Sequence, residues 1–263
     1  MSELAGRTAV VHGGSGAIGR AIGRAFTGAG AQVFLTGRRR ERVDAAAAEV
    51  GAAGADVLDV LDEDAVERHA LAVCQRAGRI DVCVTAVGLD IGQQGVPLVE
   101  HSADAYTAPV AAYVRGNFAT AAVAARHMRE TGGGVILALS VPMARQPAPL
   151  AGPFGAAGAA VENMCRQLAL ELARERIRVV CLRLTGIPET ARSLGSLTRS
   201  MWSAAAQRLG VSFEELLEVI GSTPGGSPLS VEDVAGIATF VASHRSAALT
   251  GTVLNVTRGA AAD

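Results

Sequence analysis

A strand and helix rhythm limits this chain more tightly than any other property. Short β-branched runs at 8–11, 32–36, 55–58 and 81–86 alternate with alanine-rich helical stretches at 19–28, 38–50 and 63–76. The alternation continues with helices predicted at 105–130, 156–174 and 231–242 and strands at 135–139, 178–182 and 252–256. Strands separated by helices of this length pair in parallel, and right-handed crossovers place helices on both faces of the sheet. The expected architecture is α/β, a doubly wound parallel sheet in three layers, formed by residues 1–263 as one domain. The stretch 186–228 breaks the rhythm, opening and closing on Gly and Pro, and reads as an inserted substrate lid.

Composition removes several classes of function. A formal net charge of −1 offers no electrostatic footprint for nucleic acid. No apolar run reaches the roughly 18–20 residues of a membrane span, and Glu3 and Arg7 interrupt the start where a signal peptide would be apolar. A cytoplasmic protein without a membrane partner is expected. Cys74, Cys83, Cys165 and Cys181 form no C-x-x-C pair and have no histidine at ligand spacing, so no metal site is predicted. All 24 cationic side chains are arginine, which excludes any mechanism that needs lysine.

Directly after the first strand comes His12-Gly13-Gly14-Ser15-Gly16-Ala17-Ile18-Gly19, where a helix begins. Glycines permit a tight turn and let backbone amides approach a pyrophosphate at the positive end of that helix. With 31 glycines in the chain, the spacing alone would be weak; its place after the first strand strengthens it. The second strand ends Thr36-Gly37-Arg38-Arg39-Arg40. An acidic residue there would favour NAD(H), whereas Gly37 leaves room and Arg38 offers a forked donor to a 2′-phosphate. NADP(H) is therefore predicted over NAD(H).

On these residues the chain resembles the short-chain dehydrogenase/reductase family, with its Rossmann-like fold, over essentially its whole length. The family's T-G-x-x-x-G-x-G appears with His12 for the threonine and Ala17 for the central glycine; Gly13 and Gly19 match. By resemblance Gly13, Ser15, Gly16, Ala17, Ile18, Gly19 and Arg38 would hold the cofactor, and Asp59 and Val60 would contact its adenine. Residues 81–88 stand where the family has D-x-x-V-N-N-A-G, keeping Asp81, Val84 and Gly88. Thr190 corresponds to the threonine that reaches the cofactor amide. Asn117 and Ser140 match the family's catalytic asparagine and serine.

The resemblance fails at one informative place. Family members carry Y-x-x-x-K, in which the tyrosine exchanges a proton with the substrate and the lysine lowers its pKa; here Phe154 and Gly158 occupy those positions. Phenylalanine has no proton to exchange and glycine no side chain. Three readings stay open: an NADP(H)-dependent oxidoreductase with atypical catalysis on a small apolar carbonyl or alcohol; a non-redox cyclase, isomerase or dehydratase; and a non-catalytic nucleotide-binding protein. Arg145 and His101 are further polar candidates near the second reading's pocket, though each also reads as a surface loop residue. Leu194, Leu197, Met201 and Trp202 suggest an apolar ligand under the lid. The alanine-rich helices around 105–130 and 156–174 resemble those that pair family members, so a homo-oligomer, dimer or tetramer, is expected.

Overall fold

The computed structural model describes residues 2–90, 92–192 and 196–262. Seven strands, β1 (Thr8–His12), β2 (Gln32–Gly37), β3 (Gly54–Val57), β4 (Val82–Thr85), β5 (Gly134–Ser140), β6 (Ile177–Leu184) and β7 (Thr252–Val256), form one sheet. Every pairing is parallel, in the order β3-β2-β1-β4-β5-β6-β7. The strand order reverses between β1 and β4. In doubly wound sheets ligands sit outside the carboxyl ends of the strands at that switch point.

The strands are apolar on both sides because helices cover both faces. Alternate residues divide cleanly between two cores. Ala9, Val11, Val33, Leu35, Val84, Leu137, Val180 and Leu182 pack against helices α1 (Ala17–Gly28), α2 (Arg40–Val50) and α9 (Val231–Ala242). Val10, Phe34, Cys83, Ile136, Ala138, Val179 and Cys181 pack against α3 (Glu63–Ala77), α4 (Ala103–Thr131) and α5 (Phe154–Leu172). This two-residue period dictates which face each polar residue at a strand end must occupy. It puts His12, Thr36, Ser140 and Arg183 on the face of α3, α4 and α5.

The predicted boundaries differ from the observed ones by at most two residues. Helix α1 starts at Ala17 rather than 19, because the glycine turn runs straight into its first turn. Helix α2 begins at Arg40 rather than 38, since Arg39 is still extended. Strand β4 ends at Thr85, before the chain leaves the sheet. The 186–228 stretch contains α6 (Pro188–Arg192), α7 (Leu197–Leu209) and α8 (Phe213–Gly221). Ser196 and Ser212 cap α7 and α8, the latter through a reciprocal capping box with Glu215, so local sequence accounts for both helices.

Candidate functional site

At the switch point, backbone meets backbone. Gly13 N and Gly14 N donate to Thr36 O at 3.0 and 2.9 Å, and Ala86 N donates to His12 O at 2.9 Å. Gly13 has φ +81°, and a Cβ there would lie 2.4 Å from Ala86 O. A Cβ on Gly19 would lie 2.4 Å from Gly13 O, so the turn can fold back on α1 only with glycine at both places. No side chain caps the N-terminus of α1, which leaves its first amides turned towards the turn without a side-chain acceptor. Gly37 lies against Ser15, whose Oγ would be 2.8 Å from a Cβ at that position. Arg38 follows, exposed and with no ion pair among the described residues. These features fit a dinucleotide phosphate, with the amides of α1, Ser15 and Arg38 as the groups that would hold it.

The other expected cofactor residues flank the same strand ends. Asp59 accepts from Leu61 N at 3.0 Å, forming a local turn, and Val60 is buried under α4 at Gly116. Gly88 faces Leu197, the first residue of α7, 3.6 Å from where its Cβ would stand. Thr190 is buried, and its hydroxyl donates to Ile187 O at 2.7 Å.

At the end of β5, Ser140 is paired in register with Arg183 of β6. Both are about 2% exposed, and Glu162, two turns into α5, is 3% exposed between them. Glu162 receives Arg183 Nε on Oε1 at 2.8 Å and Arg183 Nη2 on Oε2 at 2.9 Å. Ser140 Oγ donates to the same Oε1 at 2.9 Å. Burial raises the Glu162 pKa, but the hydrogen bonds from Arg183 and Ser140 outweigh it and hold the carboxyl below its ordinary value. Arg166 adds a looser contact at 3.4 Å from the rim of a cavity of about 630 Å³ whose floor includes Glu162 and Arg183.

Asn117 is buried on α4; its amide nitrogen donates to Tyr113 O at 2.9 Å, while its Oδ1 has no partner. The Tyr113 hydroxyl donates to Leu139 O at 3.0 Å, next to Ser140, and burial raises its pKa. Phe154 opens α5 and packs on the core rather than presenting a polar group. Gly158 is a tight contact. A Cβ there would stand 2.9 Å from Val141 Cγ2 and 3.2 Å from Ala144 Cβ, in the single turn of 3-10 helix Pro142–Ala144.

Of the remaining sequence candidates, Arg145 is exposed and His101 is half-buried with both ring nitrogens unpartnered. Trp202 and Ile220 pack over Gly186, and Met201 packs on the same core as Phe154, so these residues of 186–228 meet the protein itself. Leu194 lies outside the described residues.

Neither the buried ion pair nor His12 was legible as a site feature. Arg183 interrupts the apolar run Val-Cys-Leu-Arg-Leu of β6, and a buried charge there requires a partner, here Glu162; that was the available signal. His12 stands apart from that pair. It is buried with Nδ1 3.0 Å from Thr36 Oγ1, and its ring lies edge-on to His69, whose nitrogens make no hydrogen bond among the described residues although Nε2 lies 3.5 Å from Asp56 Oδ2. Burial, with His69 as a smaller cause, pushes the His12 pKa down from 6.5 to about 3. The unfolded chain therefore binds an extra proton between those pH values, and stability present above pH 6.5 is lost as pH falls towards 3. A loss of about 2 kcal/mol between pH 7.5 and 5 is expected in urea titrations, with a smaller loss in His12→Thr. Equal losses in the two proteins would remove His12 from the explanation.

A glycine turn of this build at the switch point of a seven-stranded parallel sheet defines an α/β protein of the doubly wound class that dinucleotide enzymes use. A family model described as enoyl-(acyl carrier protein) reductase matches residues 13–261. An uncharacterised oxidoreductase of Mycobacterium bovis is 31% identical over 263 residues, covering 98% of both chains. Gluconate 5-dehydrogenase of Gluconobacter oxydans is 28% identical over 264 residues, covering 98% of this chain and 96% of that protein. A solved short-chain dehydrogenase/reductase from Mycobacterium ulcerans superposes with a TM-score of 0.80 at 26% identity, covering 97% of this chain and 90% of the other. The chain belongs to the short-chain dehydrogenase/reductase family. It is an oxidoreductase of that family, whose dehydrogenases use nicotinamide cofactors. Among the described residues no helix is long and apolar enough to cross a membrane.

Proposed function

We propose that the protein is an NADP(H)-dependent oxidoreductase acting on a small apolar carbonyl or alcohol, without the family's tyrosine and lysine. The observation that carries this reading is the pairing of Gly37, seated against Ser15, with an exposed Arg38 at the end of β2 that makes no ion pair among the described residues. When bound, the cofactor would supply the hydride chemistry, and the protein's part is to place it. The amides at the start of α1 and the Ser15 hydroxyl orient the pyrophosphate, and Arg38 meets the 2′-phosphate. Asp59 and Val60 border the adenine, and Gly88 and Thr190 the nicotinamide end. Ser140 and Asn117 orient the substrate. Residues 186–228 act as the lid of this single domain, a role supported by the contact of Leu197 with Gly88. Exposed Phe118 on α4 and Leu170 on α5 support a homo-oligomer, and the four free cysteines support a reducing, cytoplasmic setting.

Arg38→Ala tests the reading. Loss of a charge-assisted, bidentate phosphate contact should weaken NADPH binding by about tenfold or more and leave NADH binding within about twofold. Equal losses for the two cofactors, measured by fluorescence titration, would remove the 2′-phosphate role.

A further inference from the structure

We infer that the Ser140 oxygen is held as a hydrogen-bond acceptor, and that the ligand group it meets is therefore a donor, a hydroxyl rather than a carbonyl. The inference rests on the reading above in placing the substrate at Ser140, and it goes further by choosing between the two substrate classes left open there.

The direction of the buried network is fixed by chemistry. A guanidinium only donates and an ionised carboxylate only accepts, so the 2.9 Å contact between Ser140 Oγ and Glu162 Oε1 carries the serine hydrogen; its longer contact, Gly158 O at 3.5 Å, is an acceptor too, so the hydrogen is committed either way. Arg183 grips both carboxylate oxygens, at 2.8 and 2.9 Å, and keeps the acceptor ionised and in place. Ser140 then has lone pairs to offer and no hydrogen.

Its neighbours are biased in the same way. The Tyr113 hydroxyl has spent its hydrogen on Leu139 O. Asn117 directs one amide hydrogen to Tyr113 O, while its buried Oδ1 has no donor among the described residues. Phe154 and Gly158 add neither donor nor acceptor from their side chains. Apart from the arginines that grip Glu162, the side chains of Ser140, Tyr113 and Asn117 around the end of β5 thus turn oxygen lone pairs outward. A carbonyl arriving at Ser140 would meet another lone pair, and receiving it would require the serine to withdraw its hydrogen from Glu162. A hydroxyl needs no rearrangement. Glu162 is in this account a positioning residue, setting the polarity of Ser140 from behind.

The test uses a matched pair, a para-fluorophenyl secondary alcohol and the corresponding ketone, titrated into the free protein and followed by fluorine NMR. The alcohol should bind about tenfold more tightly, the factor expected when one ligand leaves a buried acceptor unpaired and the other does not. Ser140→Ala keeps the Glu162–Arg183 pair and should bring the ratio close to one. In Glu162→Gln the amide can donate to Ser140, free the serine hydrogen and shift the ratio towards the ketone; a merely structural loss would weaken both ligands alike. Equal binding of the two probes to the wild type, an unchanged ratio in Ser140→Ala, or binding of neither probe overturns the inference. A separate NADPH titration keeps the two readings apart. NADPH binding without an alcohol preference overturns this inference alone; an alcohol preference without NADPH binding upholds it and overturns the cofactor assignment.

Discussion

Glu162→Ala is expected to lower stability by about 3–5 kcal/mol, the range for removing one partner of a buried ion pair and stranding the other. Arg183 would keep its charge in the core, at 2% exposure, without the two oxygens that now receive it. For a chain of this length the thermal midpoint should fall by roughly 10 °C. Arg166→Ala, which removes only the half-exposed outer contact at 3.4 Å, should change stability by less than about 1 kcal/mol. The contrast between the two variants is the useful measurement. Replacing Glu162 and Arg183 together with leucine should recover much of the loss, because a packed apolar pair no longer desolvates a charge. If Glu162→Ala unfolds at the wild-type temperature, the ion pair is not the buried, fully engaged contact described above.

The second large effect concerns the vacant catalytic pair. Phe154→Tyr with Gly158→Lys writes the family's motif back into the chain, yet it should fail to create a carbonyl reductase and should cost about 1–3 kcal/mol through overpacking. The reason is backbone proximity. Helix α5 approaches the Pro142–Ala144 turn so closely that a Cβ on Gly155 would lie 2.7 Å from Met143 O, and one on Gly158 2.9 Å from Val141 Cγ2. A lysine would have to push that turn outward, and the turn is the segment that carries the chain away from Ser140. The loss of lysine and the approach of α5 therefore belong together. Wild-type stability combined with new reduction of a broad carbonyl panel would show that the space for the lysine has survived.

Much of this could be read from the sequence for physical reasons. The strand periods survived because each strand is apolar on both faces, and the glycine turn because only glycine tolerates φ +81° beside Ala86 O. Phe154 opens α5 and Gly158 lies just past its first turn, the helix beginning two residues before the expected 156. What remained hidden depends on which strand lies beside which. Nothing in the local sequence of Ser140 announces Glu162 or Arg183, at 22 and 21 residues' remove from their partners. Their meeting needs the β5 and β6 register and the rotation of α5. Likewise the pairing of His12 with His69 is set by packing of α3 on the sheet, which no spacing rule supplies.

The proposed use of NADP(H) is decided by titrating the purified protein with NADPH and NADH while following cofactor fluorescence and the thermal midpoint. At about 100 times the dissociation constant, NADPH should stabilise the native state by about 2.7 kcal/mol, with NADH far weaker at the same concentration. Equal affinity for the two, or saturation by neither, would contradict it.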